Sequence, residues 1–215
     1  MIEHLVTQPR YFFKEQTKYP GARTQMLLVL AVGIAFGLAH VSIYYQMGEE
    51  AAQYYEVIAI YTSVNVAVPF LIWIGSTILM AILSRFISRG LLIGELFRLT
   101  GWGMYPLLAA GLIQSAARVY ALEGSEPPEL GLTPHLSHTW DQYRLYLETA
   151  NGDPVFLVTT GIAVALALYA GYLWMIAVEE LAAFDETTIA RPKAAIIAAI
   201  PTVLCLIWIV APFVF

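Results

Sequence analysis

Charge is scarce in this chain of 215 residues. Asp, Glu, Lys and Arg make up 13% of it, where a soluble domain carries about 25%. Cysteine occurs once, as Cys205. No disulfide can close within the chain, and the sequence does not report its redox compartment. Basic residues are few, and only three of the eleven are lysine. Acids outnumber them and the net charge is −5, which argues against nucleic acid as a partner and leans weakly towards a salt-adapted source. The usual catalytic signatures are missing too: there is no H-E-x-x-H, P-loop, G-x-S-x-G or G-x-G-x-x-G. Gly101-Trp102-Gly103 lacks the third glycine and reads as a helix start. No cofactor is expected.

Hydrophobic residues are abundant, at 59%, and the mean hydropathy is +0.68. They come in five runs, about 25–45, 57–83, 100–120, 155–178 and 194–215. Each run is long enough, at about 1.5 Å per residue, to cross roughly 30 Å of hydrocarbon. No Asp, Glu, Lys or Arg falls near the middle of any of them. The fold class expected is all-α: a polytopic membrane protein with a bundle of five transmembrane helices and short interfacial amphipathic helices. Residues 25–215 form one transmembrane domain behind a leader at 1–24, with an outer loop at 121–154. The first apolar run is too long for a signal-peptide core, so no cleavable signal is expected.

The run at 100–120 organises the chain. Gly101, Gly103, Pro106 and Gly111 load it with small residues, as suits a helix packed closely against others in lipid. Gly33 and Gly37 form a G-x-x-x-G pair in the first run. Gly161 with Ala165, and Ala167 with Gly171, offer similar faces in the fourth. Asn65 is the least ordinary apolar-run residue, and Pro69 frees a carbonyl beside it. Asn65 reads first as a donor between helices, and alternatively as part of a solute path. His40 reads as a hydrogen-bonded interfacial histidine, with a proton carrier as the sharper alternative.

In the leader, Pro9 suits a first helical turn with Thr7 as its cap. Tyr11, Phe12 and Phe13 among Arg10, Lys14 and Lys18 suggest an aromatic anchor lying in the membrane interface. The segment 84–98, with Arg85, Arg89 and Arg98, reads as a basic in-plane helix after Gly90. In the outer loop, Leu136, Trp140, Tyr143 and Leu147 recur at helical spacing. They predict an amphipathic helix resting on the outer surface and ended by Asn151-Gly152 in left-handed geometry. Within it His135, His138 and Asp141 are three possible metal ligands, although polar surface is the simpler reading. Glu179 and Glu180 close the fourth run, where water explains them.

Nine of the eleven Lys and Arg residues fall in the leader and in the second-to-third and fourth-to-fifth connectors. The positive-inside rule then places the N-terminus in the cytoplasm and the C-terminus outside, in the cell membrane.

Three separated segments together resemble a known family. Pro9 to Phe13 is similar to the P-x-x-F-F leader of bacterial and archaeal members of the Ypt-interacting protein (Yip) family. Phe97 to Pro106 resembles that family's F-x-x-x-G-x-x-x-x-P start to its third span. Residues 174–194, with Thr187-Thr188, resemble its inner connector and the start of its fifth span. The D-L-Y-G-P signature of eukaryotic members is missing. The resemblance implies a five-span fold more than an activity.

The reading that follows is a non-enzymatic membrane scaffold or complex subunit of the Yip-domain type. Its partners would be the lipid bilayer and other membrane proteins or a second copy, and it could shape the bilayer. Arg10, Phe12, Phe13, Arg85, Arg89, Arg98 and Arg191 would form its cytoplasmic and interfacial face. The alternatives are a channel or carrier for a small neutral solute, lined by Asn65, Pro69, Pro106 and Gln114, and a metal-dependent membrane enzyme using His135 and His138.

Overall fold

The computed structural model describes residues 2–19, 21–87, 90–130, 135–184 and 189–211. Arg89 and the Thr187-Thr188 pair lie outside them. Among the described residues the chain is helical without strands. The leader holds α1 (Ile2–Thr7) and α2 (Pro9–Gln16). Then come α3 (Arg23–Gln46), α4 (Ala51–Ile87), α5 (Ile93–Gly103) and α6 (Tyr105–Ala121). The chain closes with α7 (Leu136–Thr149), α8 (Pro154–Phe184) and α9 (Arg191–Val210).

Five stretches are long and apolar enough to cross a membrane: Arg23–Gln46, Gly48–Ile87, Ile93–Ala121, Pro154–Phe184 and Arg191–Val210. Their outer faces carry exposed Leu27, Leu71, Val158 and Ile207. Such a surface is stable where lipid is the solvent. The protein is a five-span, multi-pass membrane protein.

Small residues set how closely these helices approach. A Cβ on Gly33 of α3 would stand 2.5 Å from the Val66 carbonyl oxygen of α4. Gly37 lies one turn on, against Thr62. A Cβ on Gly111 of α6 would stand 2.6 Å from the Phe36 ring. Gly171 of α8 lies under the Thr202 side chain of α9. Lipid gives little hydrophobic drive between helices, so this close contact is what holds the bundle. Gly161 differs: nothing stands within 4 Å of its Cβ position, and it and Ala165 are exposed. The face they form does not pack inside this chain.

The third span is two helices, where the sequence suggested one starting near Thr100. Gly101-Trp102-Gly103 ends α5 and is not a helix start. Met104 forms the turn, and Pro106 opens α6. Proline has no N–H to give and its ring crowds the preceding turn, so the helix restarts there. α5 packs into the core of the bundle. Leu96, Leu99 and Trp102 are buried, and two tryptophans clamp the helix. Trp73 Nε1 donates to Phe97 O at 2.9 Å, and Trp174 Nε1 donates to Thr100 O at 2.8 Å. Gly90, at φ +86°, takes the left-handed turn before it.

Two aromatic residues of the leader belong to the core, while Tyr11 and Tyr19 stay exposed. Phe12 and Phe13 are buried, and Phe12 meets Trp102 edge to face, with centroids 5.2 Å apart. Thr7 does not cap α2. It ends α1, and its hydroxyl donates to Glu3 O at 2.9 Å.

At the opposite end, α7 is built into the bundle, with Tyr143, Tyr146 and Leu147 buried while Leu136 stays exposed. It ends in a 3-10 turn, Ala150–Gly152, and Gly152 is not among the glycines of positive φ. Asp153 Oδ1 accepts from Val155 N at 2.7 Å and from Phe156 N at 3.2 Å, capping α8.

Candidate functional site

A cavity of about 430 Å³ opens beneath α7, between α3, α4, α6 and α9. Most of its wall is apolar: Phe36, Ala39, Val64, Val68, Leu147, Phe156 and Trp208. Set into that wall are His40, Asn65, Gln114, Ser115 and Arg118, with Arg144 and Glu148 from α7.

Each polar group is placed by its own helix. His40 is buried on α3, and both its ring nitrogens are engaged. Nδ1 lies 2.9 Å from Tyr143 Oη on α7, and Nε2 lies 3.1 Å from Asn65 Nδ2 on α4. The other Asn65 amide hydrogen goes to Tyr61 O, at 2.9 Å. An amide nitrogen only donates, so Nε2 accepts and Nδ1 carries the ring proton towards Tyr143. Three helices are joined by this one imidazole. Tyr61 stacks on Trp140 at 4.5 Å, closing α7 over the cavity. Burial pushes the Tyr143 hydroxyl above the ordinary tyrosine range, against an opposing pull from Arg118.

On α6, Gln114 Nε2 donates to Thr160 Oγ1 at 3.3 Å, and Ser115 Oγ donates to Ala35 O at 2.6 Å. Arg118 lies one turn further along. Its guanidinium carbon stands 4.8 Å over the Phe156 ring. Among the described residues no carboxylate lies within ion-pair distance of it. Arg144 and Glu148 pair with each other at 2.8 Å.

The cavity therefore has binding groups, and the one histidine on its wall is held by its neighbours on both nitrogens. It gathers only part of the expected neutral-solute path. Asn65 and Gln114 line it. Pro69 and Pro106 are both buried in helix packing, Pro69 inside α4 and Pro106 in the first turn of α6, and neither belongs to its wall. Arg118 also makes the cavity cationic. His135, His138 and Asp141 are exposed. Among the described residues no group of three or more His, Cys, Asp or Glu could hold a metal.

The far end of the bundle carries the second polar cluster. Arg10 of the leader pairs with Glu179 and Glu180 of α8, the latter at 3.2 Å. The two glutamates keep only 10% and 16% of their side-chain surface, so their partner is the leader as well as water. Arg191 stands 4.0 Å from Glu179, and Lys193 Nζ lies 3.5 Å from Ile87 O. Arg98 pairs with Glu95 at 3.6 Å, and Arg85 is exposed. These contacts bring the leader, the end of α4, the end of α8 and the start of α9 together.

The sequence does not single out Arg118 as a cavity residue. The usable signal was a lone cation one turn after Gln114 and Ser115. The roles of Tyr143 and Trp174 depend on contacts between distant segments and had no local signal.

Comparison with curated proteins and with solved structures gives no match. The model of the Yip1 domain matches residues 4–211. That range takes in the buried leader, all five spans and the walls of the cavity, and on that match the chain belongs to the Yip1 domain family.

Proposed function

We propose that this Yip-type protein is a non-enzymatic membrane scaffold that binds a second copy of itself or another membrane protein. It sits in the cell membrane with its N-terminus in the cytoplasm and its C-terminus outside. The basic residues Arg10, Arg85, Arg98, Arg191 and Lys193 collect around one end of the bundle, which supports that orientation.

The observation that carries the reading is a contrast within α8. Gly171 is used up against Thr202 of α9, whereas Gly161 and Ala165 face outward with open space before them. Exposed Val158, Ile162 and Leu168 flank this notch. A small-x-x-x-small notch between bulky residues lets a second helix approach at backbone distance, and in lipid such packing supplies the association energy.

The test is mass by size exclusion with light scattering in mild detergent, together with crosslinking in native membranes. The expected result is an oligomer or complex that Gly161→Leu dissociates without lowering the melting temperature. Protein that is monomeric in detergent and captures nothing in membranes sinks the reading.

A further inference from the structure

The cavity beneath α7 carries an observation the scaffold reading does not use. Arg118 belongs to the third span, and its guanidinium lies over the face of Phe156 with no carboxylate within ion-pair distance among the described residues. A cation in a membrane span is costly unless paired. The other charged groups of the wall, Arg144 and Glu148, satisfy each other, so the wall keeps one net positive charge. Ser115 spends its hydroxyl proton on the backbone of α3.

The remaining wall is apolar, and it reaches the outside of the bundle. Val64 lines the cavity and is 49% exposed on the face of α4. Val68 follows one turn on, and Trp208 of α9 stands opposite. A free inorganic anion would leave most of these apolar atoms without a partner. A molecule with one compact anionic group and an apolar chain matches both parts. The volume of about 430 Å³ suits a headgroup and the first part of its chains, with the rest left in the bilayer.

We propose that this cavity binds the headgroup of a singly anionic phospholipid. Arg118 holds the phosphodiester, and the acyl chains leave past Val64 and Val68. Arginine presents a planar pair of donors to phosphate and forms charge-assisted bonds that lysine reproduces only as a point charge.

The test uses the full chain, delipidated in detergent, with native mass spectrometry as readout. The probes are short-chain phosphatidylglycerol, phosphatidylcholine of equal chain length, and inorganic phosphate. Phosphatidylglycerol is expected to bind one per chain, about tenfold or more tighter than phosphatidylcholine, and Arg118→Gln should remove that preference, as the loss of one charge-assisted hydrogen bond does. Arg118→Lys should keep part of it. Filling the apolar exit with Val64→Trp should weaken phosphatidylglycerol while leaving the helical circular dichroism intact.

Equal binding of the two lipids overturns the proposal, whether or not Arg118→Gln folds. So does a preference that survives Arg118→Gln. Inorganic phosphate binding as tightly as phosphatidylglycerol overturns the lipid assignment in favour of a free anion. The same spectra report the oligomeric state, so failure here is distinct from failure of the scaffold reading.

Discussion

The indole of Trp174 fills the space a side chain on Gly103 would need, and its Nε1 donates to Thr100 O at 2.8 Å. The last turn of α5 and the α8 helix are fixed to each other at this point.

Gly103→Ala puts a methyl into that ring, which is held by a buried hydrogen bond and cannot swing away. Overpacking of this kind costs about 1–3 kcal/mol. Trp174→Phe leaves the Thr100 carbonyl without its donor and should cost about as much. Thermal unfolding in detergent checks both. Gly75→Ala in α4 is the control, because it meets open space, and it should not lower the melting temperature.

The leader is held by two kinds of contact, and their magnitudes differ. Arg10 is 54% exposed, so its bonds to Glu179 and Glu180 are worth about 1 kcal/mol or less and weaken with salt. Phe13 is fully buried, and Phe13→Ala should cost about 3–5 kcal/mol. Limited trypsin digestion should therefore cut the leader modestly faster in Arg10→Gln, and only at low salt. Phe13→Ala should expose it at any salt. Equal effects of the two variants would contradict this ranking.

Tyr143 gives a pH signature at the α7 end of the bundle. Its folded pKa lies above the unfolded value of about 10. Its neutral form is the one the fold favours, so its stabilisation is complete below about pH 10 and is lost as pH climbs through the higher folded value. Tyr143→Phe should lose less stability than the parent between neutral and strongly alkaline pH. At neutral pH the same variant should be weaker by about 1–3 kcal/mol, because the His40 Nδ1 proton loses its acceptor. Melting curves across the pH range separate the two effects.

The five spans were legible because apolar runs of membrane length need no tertiary context. Gly33 and Gly171 were legible as close-packing positions for the same reason, since a small residue in a long apolar run has few other uses. Gly161 carries the same pattern and faces outward. In lipid both faces of a helix are apolar, so the sequence does not mark which one turns inward. The break at Met104 was half legible in Pro106, but the glycines before it suit a helix start as well as a helix end. The burial of Phe12 and Phe13 depends on Trp102, nearly ninety residues later. Aromatic residues among lysines look the same in an interface and in a core. The cavity joins side chains from six helices and the turns between them, and no local pattern announces such a meeting.

The approach of Gly33 to Val66 bears on how the chain enters the membrane. Only the short turn around Gly48–Glu50 separates α3 from α4, so this hairpin is the earliest pair of spans able to zip together during synthesis. His40 and Asn65 ride on its two arms and can meet before α6 has been translated. The hairpin can therefore offer two polar side chains to Arg118 before α7, α8 and α9 complete the cavity. A chain widened at Gly33 would deliver that cation to lipid first, and its defect would be one of biogenesis as well as of the finished bundle.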